Sequence, residues 1–441
     1  MKTVNIPIND ILMPQYVIEC IKKIDWMMHD DETLNFYNDD FIMILYGVRG
    51  STAFSGPNHI RYGSNTTAYQ IWSPKLPTNK LYLGDGGSGI LEVDKAIMAK
   101  LFEAGINPFT AKSQDIEHIL SGVINTYTHY HYDHLHMGAP LAAMFNANSI
   151  PKMIIGGDNP KSQFNKAFKR PAFPRDFGEV QASYSFQEIA DPRASVLIFT
   201  PNGEFRIMSS SDFNSFLQEG KPQIKHNKVF YNLEDCVIVR CYSADHPDPC
   251  ISYRYENYNS KGEKTMAVTF MTDHEIRETD DRNAYFLNHV NDSDAVYFDG
   301  QYTNENFIPG FGHGRVEIIG KAAAHLNIKN VIVGHHDPKR KDDEIDEMIK
   351  LAHTSFNEEY SKTGNSDSPK DTRIIAAADR MMFFIPSPER HRKGIVFGRM
   401  NLEKGYEEIS DDIGEQSSVV SHYKSFDLTQ TYKLDDYTTE K

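Results

Sequence analysis

The sequence predicts an α/β fold in which strands and helices alternate around one candidate site. Short apolar, β-branched runs that end at polar, reactive side chains indicate buried strands, and helical stretches lie between several of them. The composition allows a large core, because 40% of the 441 residues are hydrophobic and 24% are charged. A prior of roughly 150 residues per domain allows about three domains, and one large α/β sandwich with insertions also fits.

The charge balance and the cysteines limit the classes of function. Lys and Arg number 46 against 61 Asp and Glu, a net charge of −15, which argues against a broad surface that grips nucleic acid. The four cysteines, at 20, 236, 241 and 250, form no C-x-x-C pair and indicate a reducing compartment. The N-terminus does not resemble a secretory signal, and no window is apolar enough to span a membrane. We therefore expect a cytoplasmic protein without a membrane segment.

The first part of the chain predicts an extension, a meander and a helix. Residues 1–40 mix apolar and acidic side chains and are expected to form a helical N-terminal extension. The first strand is predicted at Phe41–Val48, and a loop rich in Gly, Ser, Pro and Asn follows it. The runs AYQIW and KLYLGD then predict strands of an antiparallel meander. DGGSG, from Asp85 to Gly89, precedes a helix predicted at about 90–104.

The later part of the chain contains a polar insertion and an unassigned tail. Residues at about 160–230 include the Pro-rich segment KRPAFPRD and predict an insertion or lid-like subdomain, whose surplus near 190–230 could cover the cleft. A charged helix is predicted at about 340–362, and RIIAAA predicts a strand after it. Residues 386–441 form a C-terminal tail without an assigned structure.

Four predicted strands end at residue types that bind metals or transfer protons. GVINTYT ends at a histidine cluster, MAVTFMT at Asp273, AVYF at Asp299 and NVIVG at His335. Side chains at strand ends are held rigidly by the sheet and remain open at one rim. The pattern therefore predicts one site assembled from several strands.

The histidine cluster is the strongest signal in the sequence. It reads H-x-H-x-D-H and contains His129, His131, Asp133 and His134. Two imidazoles suit one divalent cation, and a carboxylate with an imidazole suits a neighbouring one. A purely structural role would crowd four such groups at a strand end with no gain in packing. We therefore predict that the cluster binds two metal ions.

Residues elsewhere in the chain are needed to complete the coordination of both ions, because a catalytic metal has about three protein ligands and one open position. His246 is a candidate for the first ion and His335 for the second, while Asp273 could bridge them. Two ions roughly 3.5–4 Å apart would share a water and lower its pKa towards neutrality. Position alone leaves a structural role for these three residues equally open.

These motifs resemble the metallo-β-lactamase superfamily, in its phosphodiesterase-like and ribonuclease Z-like branch, over residues 41–385. LYGVRGS, RYGSNTTAYQI and DGGSGI resemble the opening of that branch, and THYHYDH resembles its metal motif. HPDPCISYR, TDHE and GHHDP are similar to the motifs that carry its later ligands. The resemblance implies a four-layer αββα sandwich and strengthens His246, Asp273 and His335 as ligands.

The segment GFGHGR adds a candidate proton donor, His313. From the residues alone, it is a loop histidine in a glycine-rich turn. The resemblance implies a general acid that protonates the leaving oxygen, and the neighbouring glycines would let it approach a substrate. Gly314 stands where related chains usually have Ser, and Ser64 where they usually have Gly. We expect these departures to affect substrate positioning rather than metal loading.

Four residues in the loop after the first strand are candidates for binding substrate: Arg49, Arg61, Asn65 and Thr66. Arg side chains and backbone N–H groups can take up the charge of a phosphate ester in its transition state. A turn held by Asn and Arg hydrogen bonds explains the same residues equally well.

The resemblance implies a dinuclear metal hydrolase of phosphodiesters, in which a metal-bridging hydroxide attacks phosphorus and His313 protonates the leaving group. Asp133, besides binding a metal, could accept a hydrogen bond from the nucleophile. The expected substrate is a small cyclic nucleotide or cyclic phosphate, because the chain lacks a broad basic surface. The His-rich set favours Zn²⁺, and Mn²⁺ or Fe²⁺ suit the same ligands.

Three other functions fit the same residues. A ribonuclease of the tRNA 3′-processing type would use the same ions, but it needs a basic, glycine-rich arm that we do not find in the sequence. A non-catalytic sensing or binding module would keep the fold, although the complete ligand set argues against it. A thioester or lactam hydrolase would not need His313. Homodimers are common in this branch, so the resemblance also implies that the protein forms a homodimer.

Overall fold

Two large β-sheets form the centre of the protein, in a computed structural model that describes residues 3–24, 26–136, 138–180, 183–220, 223–279, 283–363, 372–390, 394–401 and 406–410. The strands are, in chain order, β1 (Thr3–Pro7), β2 (Met28–Asp30), β3 (Thr33–Tyr37), β4 (Phe41–Gly47), β5 (Ala68–Trp72), β6 (Lys80–Gly84), β7 (Gly122–Thr126), β8 (Lys152–Gly156), β9 (Tyr184–Glu188), β10 (Ser195–Phe199), β11 (Phe205–Ser209), β12 (Gln223–His226), β13 (Val229–Asn232), β14 (Val237–Ser243), β15 (Ile251–Tyr258), β16 (Lys264–Met271), β17 (Ala295–Asp299), β18 (Asn330–Gly334), β19 (Arg373–Ala376), β20 (Met381–Ile385), β21 (Val396–Asn401) and β22 (Tyr406–Ser410). The helices are α1 (Gln15–Lys22), α2 (Ile90–Glu103), α3 (Ser113–Ile116), α4 (Ala143–Asn146), α5 (Pro160–Ala167), α6 (Ser210–Gln218), α7 (Ala284–Val290), α8 (Val316–His325) and α9 (Asp342–Thr363).

The first sheet has nine strands within the described residues, in the order β22-β21-β20-β4-β5-β6-β7-β8-β9. β4, β5 and β6 are antiparallel neighbours, which confirms the predicted meander. From β6 to β9 the neighbouring strands are parallel. The carboxyl ends of β6, β7 and β8 therefore lie at one edge of the sheet, where the histidine cluster follows β7.

The second sheet has eight strands in the described part of the chain, in the order β11-β10-β14-β15-β16-β17-β18-β19. The strands from β16 to β19 are parallel to their neighbours. The predicted strands MAVTFMT, AVYF and NVIVG lie in β16, β17 and β18. Their carboxyl ends share an edge, so the polar residues that follow them are brought together.

The two sheets pack face to face, with helices on their outer sides. Between the sheets, the ring of Tyr69 from β5 stacks on the ring of Phe270 from β16 at 4.0 Å between centroids. The outer face of the first sheet packs against α1, α2 and α4, in a core that contains Ile44 and Ile97. Residues of α8 and α9, such as Phe356, pack with the second sheet. The layers are therefore helix, sheet, sheet and helix, which confirms the predicted αββα sandwich.

The N-terminal extension differs from the predicted helical segment. The described part of residues 3–40 contains the helix α1, a short 3-10 turn at Ile8–Asp10 and a three-stranded sheet of order β1-β3-β2. In β3, Leu34 and Phe36 are buried while their neighbours are only half-buried, which is the period of a strand. The ring of Phe36 packs 4.4 Å from that of Trp72 in the first sheet. Burial against this sheet therefore selects strands over a longer helix.

The part of the insertion near 190–230 does not cover the cleft in the residues that the structure describes. The described residues of 160–230 add β9 to the edge of the first sheet and β10 and β11 to the edge of the second, and they also form α5, α6 and the β12–β13 hairpin. Lys80, at the amino end of β6, donates a hydrogen bond to the carbonyl of Gly203 at 2.9 Å. His226 lines a hollow with Lys80 and Gly122, the first residues of β6 and β7. This part of the insertion therefore lies at the ends of the strands opposite the histidine cluster.

The C-terminal segment extends the first sheet. β20 pairs with β4, and β21 and β22 continue the sheet beyond it. Residues 411–441 of the predicted tail lie outside the described residues. Among the helices described, none combines the length and the apolar character that crossing a membrane requires. The four cysteines are buried and free.

Candidate metal centre

The predicted metal ligands lie in loops at one end of both sheets. His129 to His134 follow β7, and Tyr132–His136 forms a short π-helical turn. Asp273 follows β16 and His335 follows β18, while His246 lies in the loop between β14 and β15. The fold therefore gathers side chains that are far apart in the sequence.

All seven predicted ligands lie in two clusters that share Asp273. Within each cluster, one potential ligand atom of every residue lies within 4.8 Å of the others. The first cluster consists of His129, His131, His246 and Asp273, and the second cluster consists of Asp133, His134, Asp273 and His335. His131 and His246 are half-buried, and the other side chains are buried. That these residues bind ions stays a prediction.

The carboxylate of Asp273 faces one cluster with each oxygen. Its Oδ2 lies 3.4 Å from Nε2 of His129 and 3.9 Å from Nε2 of His246. Its Oδ1 lies 3.1 Å from Nε2 of His134 and 3.3 Å from Nδ1 of His335. A carboxylate that bridges two ions needs this division of its oxygens, as the sequence analysis proposed for Asp273.

Four buried imidazole nitrogens in the clusters have no hydrogen-bond partner among the described residues. They are the Nε2 atoms of His129, His134, His246 and His335. Buried polar atoms are nearly always hydrogen-bonded, so four such atoms together need another partner. Nitrogen and carboxylate oxygen are the ligands that borderline divalent cations accept. The clusters therefore fit a pair of divalent metal ions.

Asp85 orients His134 and was not predicted from the sequence. It is buried at the end of β6, and its carboxylate accepts hydrogen bonds from the backbone N–H of Thr128 at 2.8 Å and from Nδ1 of His134 at 2.9 Å. Because Nδ1 is paired with Asp85, Nε2 is the nitrogen of His134 that faces the second cluster. The signal in the sequence was the motif DGGSG, which begins at Asp85.

Asp248 connects two ligands of the first cluster and was also missed. Its Oδ2 lies 2.7 Å from Nε2 of His131, and its backbone carbonyl lies 3.0 Å from Nδ1 of His246. Both imidazoles are therefore held from outside the cluster by one residue. The signal was the short spacing in HPDP, which places the backbone of Asp248 against the preceding histidine, His246.

The electrostatics of the clusters favour a cation. The pKa of His129 lies well below its usual value, because burial and the charge of His134 oppose protonation, so its ring is neutral and can ligate. Burial raises the pKa of Asp273, but the nearby imidazoles outweigh it and hold the pKa well below the usual range. Burial lowers the pKa of His134, yet Asp273, Asp133 and Asp85 raise it well above its usual value. This concentration of carboxylates attracts positive charge.

The loop that follows β4 closes one side of the second cluster. The backbone N–H of Ser51 donates a hydrogen bond to Oδ2 of Asp133 at 2.7 Å. A Cβ at Gly50 would lie 2.5 Å from Nε2 of His335, so only glycine fits at this position. Asp273 and His335 each adopt a φ of +52°, and Ser51 adopts +60°, all in the left-handed region. Such strained residues gather at functional sites.

His313 lies beside both clusters and is held by Asp299. Its Nδ1 lies 2.7 Å from Oδ2 of Asp299, and its ring stacks on that of His335 at 5.0 Å between centroids. Burial lowers the pKa of His313, but the charge and the hydrogen bond of Asp299 raise it to about 9. Asp299, His313, Asp273 and His335 also form a third group whose ligand atoms lie within 4.8 Å. The role of Asp299 as a partner for His313 was not predicted.

The glycines on either side of His313 are required by close packing. A Cβ at Gly312 would lie 2.2 Å from Cδ2 of His246, and this residue has a φ of +82°. A Cβ at Gly314 would lie 2.1 Å from the carbonyl oxygen of Asp299. The serine that related chains carry at this position would therefore not fit here without a shift of the backbone.

The four candidate substrate-binding residues make contacts within the protein. Arg49 is fully buried, and its guanidinium donates to the carbonyls of Gly63, Asp337 and Arg340. Arg61 forms ion pairs with Asp343 and Asp346. The side chain of Asn65 accepts a hydrogen bond from the hydroxyl of Ser88, and the hydroxyl of Thr66 accepts one from the backbone N–H of Ser88. These contacts favour the alternative that the residues hold a turn, and a role in substrate binding stays a prediction.

Two further histidines next to ligands have structural partners. Nδ1 of His274 accepts a hydrogen bond from the backbone N–H of Asp245 at 2.9 Å. Nε2 of His336 lies 3.0 Å from the carbonyl of Ala377. His274 therefore acts as a neighbour of the clusters rather than as a member.

The αββα sandwich with clustered His and Asp side chains at one rim is the metallo-β-lactamase fold, as the sequence resemblance predicts. No protein-family model matches the chain, and no curated protein matches it.

Three solved structures illustrate the similarity in fold. Yeast PDE1 matches with 14% identity over 77% of this chain and 98% of its own, with a TM-score of 0.43. The metallo-beta-lactamase fold protein YhfI from Bacillus subtilis matches with 12% identity over 79% and 100%, with a TM-score of 0.43. A long form RNase Z from yeast matches with 12% identity over 78% and 42%, with a TM-score of 0.42. At these values the likeness concerns the path of the chain and not an activity.

Proposed function

We propose that the protein is a metal-dependent hydrolase of phosphodiesters and that its preferred substrate is a small cyclic nucleotide or another cyclic phosphate. The observation that carries the proposal is the carboxylate of Asp273, which faces a cluster with each oxygen, with the Asp299–His313 pair beside it. This arrangement combines two candidate cation sites with one candidate proton donor, and cleavage of a phosphodiester uses both.

The residues of the first cluster would hold one divalent ion and those of the second cluster the other. When bound, such ions lower the pKa of water and neutralise charge on phosphate oxygens. The protein itself fixes the ligands: Asp85 sets the tautomer of His134, and Ser51 holds the carboxylate of Asp133. Asp133 would both ligate and accept a hydrogen bond from the attacking water.

His313 would protonate the leaving oxygen. Asp299 occupies its Nδ1, so the proton available to a substrate is the one on Nε2. The raised pKa keeps that proton on the ring at neutral pH. The leaving alkoxide takes up this proton as the bond to phosphorus breaks, and solvent restores it afterwards.

The finer parts of the proposal rest on the sequence. The acidic chain favours a small substrate over a nucleic acid. The nitrogen-rich ligand set favours Zn²⁺, and Mn²⁺ or Fe²⁺ would suit the same residues. Four free, buried cysteines agree with a cytoplasmic location. From the resemblance to the same branch, we also propose that the protein forms a homodimer.

The proposal is tested by measuring hydrolysis of bis-p-nitrophenyl phosphate, cyclic mononucleotides and an RNA substrate after chelator treatment and reloading with Zn²⁺ or Mn²⁺. We expect metal-dependent turnover of the diester and of at least one cyclic nucleotide. Cleavage of RNA without action on cyclic nucleotides would favour the ribonuclease, and bound metal without any turnover would favour a sensing module.

The role of His313 is tested by His313→Ala. We expect kcat to fall about 10²–10⁴-fold while the metal content stays unchanged, because a general acid contributes about that much. His325, which pairs with Glu359 at 3.1 Å between α8 and α9, provides the matched control His325→Ala, which should keep its activity. If His313→Ala lost metal and turnover to the same extent, His313 would instead be a metal ligand, in the group that it forms with Asp299, Asp273 and His335.

A further inference from the structure

A second polar hollow lies on the outer face of the second sheet, between α6 and α7. It has a volume of about 730 Å³, which is within the range of small-molecule sites, and no residue of the metal clusters lines it. Arg240, Glu256 and Tyr258 form its floor, Arg193 and Lys264 contribute to its lining, and Tyr285 stands on one side. We refer to it as the Arg240 hollow.

The floor of the Arg240 hollow holds more positive than negative charge. Alternation along β14 and β15 turns Val239 and Tyr255 towards the other sheet and leaves Arg240, Arg254 and Glu256 on the outer face. Glu256 accepts from Nε of Arg254 at 2.6 Å and from Nε of Arg240 at 2.8 Å. One carboxylate therefore serves two guanidiniums, and the pair of arginines keeps a surplus charge that burial makes costly.

The remaining contacts of these arginines are neutral. Arg254 donates to the carbonyl of His289 and to the hydroxyl of Ser293. Arg240 donates to the side-chain oxygen of Asn214 at 3.1 Å and to the hydroxyl of Tyr258 at 3.3 Å. None of these partners carries a negative charge, so the surplus on the floor is not neutralised by them.

Two more cations line the hollow without acidic partners. Within the described residues, neither Arg193 nor Lys264 forms a side-chain hydrogen bond or an ion pair. Burial and then the charge of Arg254 lower the pKa of Lys264, while the charges of Glu256 and Asp292 act against this shift. Asp292, the other acid in the lining, accepts a hydrogen bond from the neutral amide of Asn327 and keeps its charge. The lining therefore contains three cations, Arg193, Arg240 and Lys264, and two acids. The hollow is thus a cationic site in a chain of net charge −15.

An aromatic wall stands beside these cations. The ring of Tyr242 stacks on Tyr285 at 4.6 Å and on His289 at 5.0 Å between centroids. Tyr285 is half-buried and exposes part of its ring to the hollow. A flat group could therefore pack against the tyrosine while a charged group reaches the cations.

We infer that the Arg240 hollow binds a small phosphate monoester that carries a planar ring. The dianionic phosphate would lie between Arg240, Lys264 and Arg193, which supply charged N–H donors, and the ring would pack on Tyr285. This site is separate from the metal centre and does not depend on the proposed hydrolysis.

The inference is tested by calorimetric titration of chelator-treated full-length protein, after removal of the chelator, with phenyl phosphate, inorganic phosphate and phenol. We expect saturable binding of phenyl phosphate, weaker binding of inorganic phosphate and weaker binding still of phenol. Lys264→Ala and Arg193→Ala should each weaken the binding of phenyl phosphate about tenfold, because each removes one charge-assisted contact.

The controls separate this hollow from the metal centre. Lys350→Ala and Arg170→Ala, which change exposed side chains in surface ion pairs, should leave binding unchanged. His246→Ala, in the first cluster, should also leave it unchanged. The inference is overturned if phenyl phosphate does not bind, if the Lys264→Ala/Arg193→Ala double variant binds as tightly as the original protein, or if His246→Ala removes binding.

Discussion

The metal centre lies at the rim of both sheets and the Arg240 hollow lies on the outer face of the second sheet, and their surplus charges have opposite signs. In the metal centre, three carboxylates lie close to the imidazole of His134, those of Asp85, Asp133 and Asp273. In the hollow, one carboxylate, Glu256, serves two arginines. Buried charge is costly unless it is compensated. The sign of the surplus therefore indicates the charge of the ligand that each region suits, a cation in one and an anion in the other.

The largest effect is expected from Asp273→Asn, which removes the charge that both clusters share. We expect metal affinity to fall by more than about 100-fold, the upper end of the effect of groups that only orient ligands. Hydrolysis should fall to the background, because both ions depend on this carboxylate. Metal analysis after dialysis, beside activity, measures the effect. Asp176→Asn at an exposed turn is the control. Retention of two ions per chain would contradict the shared role.

The next largest effect is expected from a substitution of the acidic residue in the floor of the Arg240 hollow. Glu256→Gln leaves two buried guanidiniums without a counter-charge, and we expect a loss of about 3–5 kcal/mol in the free energy of unfolding. The control Glu347→Gln changes an exposed pair with Lys350 and should cost less than about 1 kcal/mol. Urea unfolding of both variants gives the comparison. A stable Glu256→Gln protein would show that the arginines are satisfied by their neutral partners.

The same residue predicts a pH dependence of stability. Burial raises the pKa of Glu256, but the charges of Arg254 and Arg240 outweigh it and lower the pKa to about 2 in the folded protein. Its contribution is therefore complete above the ordinary pKa of a glutamate and is lost as the pH falls from there towards 2. The difference in unfolding free energy between the original protein and Glu256→Gln should shrink over that interval. A constant difference would contradict the assignment.

The smallest effect is expected at the edge of the metal centre. Asp248→Asn removes the carboxylate that supports His131 and leaves the backbone contact with His246, so affinity for one ion should fall about 10–100-fold while the other ion stays bound. Competition with a chromophoric chelator resolves the two affinities. Asp245→Asn, which changes a neighbouring carboxylate paired with Arg277, is the control. Equal weakening of both ions would show that Asp248 acts on the whole rim.

The sequence predicts most of the metal centre because its ligands follow strands that the sequence also marks. AYQIW and NVIVG coincide with β5 and β18, and the residues after parallel strands must meet at one edge. Partners of the ligands are harder to predict. Asp85, Asp248 and Ser51 act through contacts that depend on the folded positions of distant loops, and their residue types are also common in ordinary turns.

The insertion and the N-terminal extension show where local patterns fail. The polar composition of residues 160–230 did not reveal that β9 and β11 extend existing sheets, because edge strands carry little hydrophobic signal. The apolar run SVLIF of β10 is buried between β11 and β14, and it was missed among its polar neighbours. The buried guanidinium of Arg49 was equally hidden, since its partners are backbone carbonyls around residues 63, 337 and 340. Carbonyl partners leave no trace in the sequence.

Each cluster of the metal centre takes residues from both sheets. The first sheet provides His129 and Asp133 to the two clusters, and the second sheet provides His246 and His335. A ribosome makes the first set long before the second, and neither half of the chain contains a complete cluster. Metal loading at full coordination therefore has to wait until the two halves have docked, so a bound pair of ions would report that the whole sandwich has been assembled.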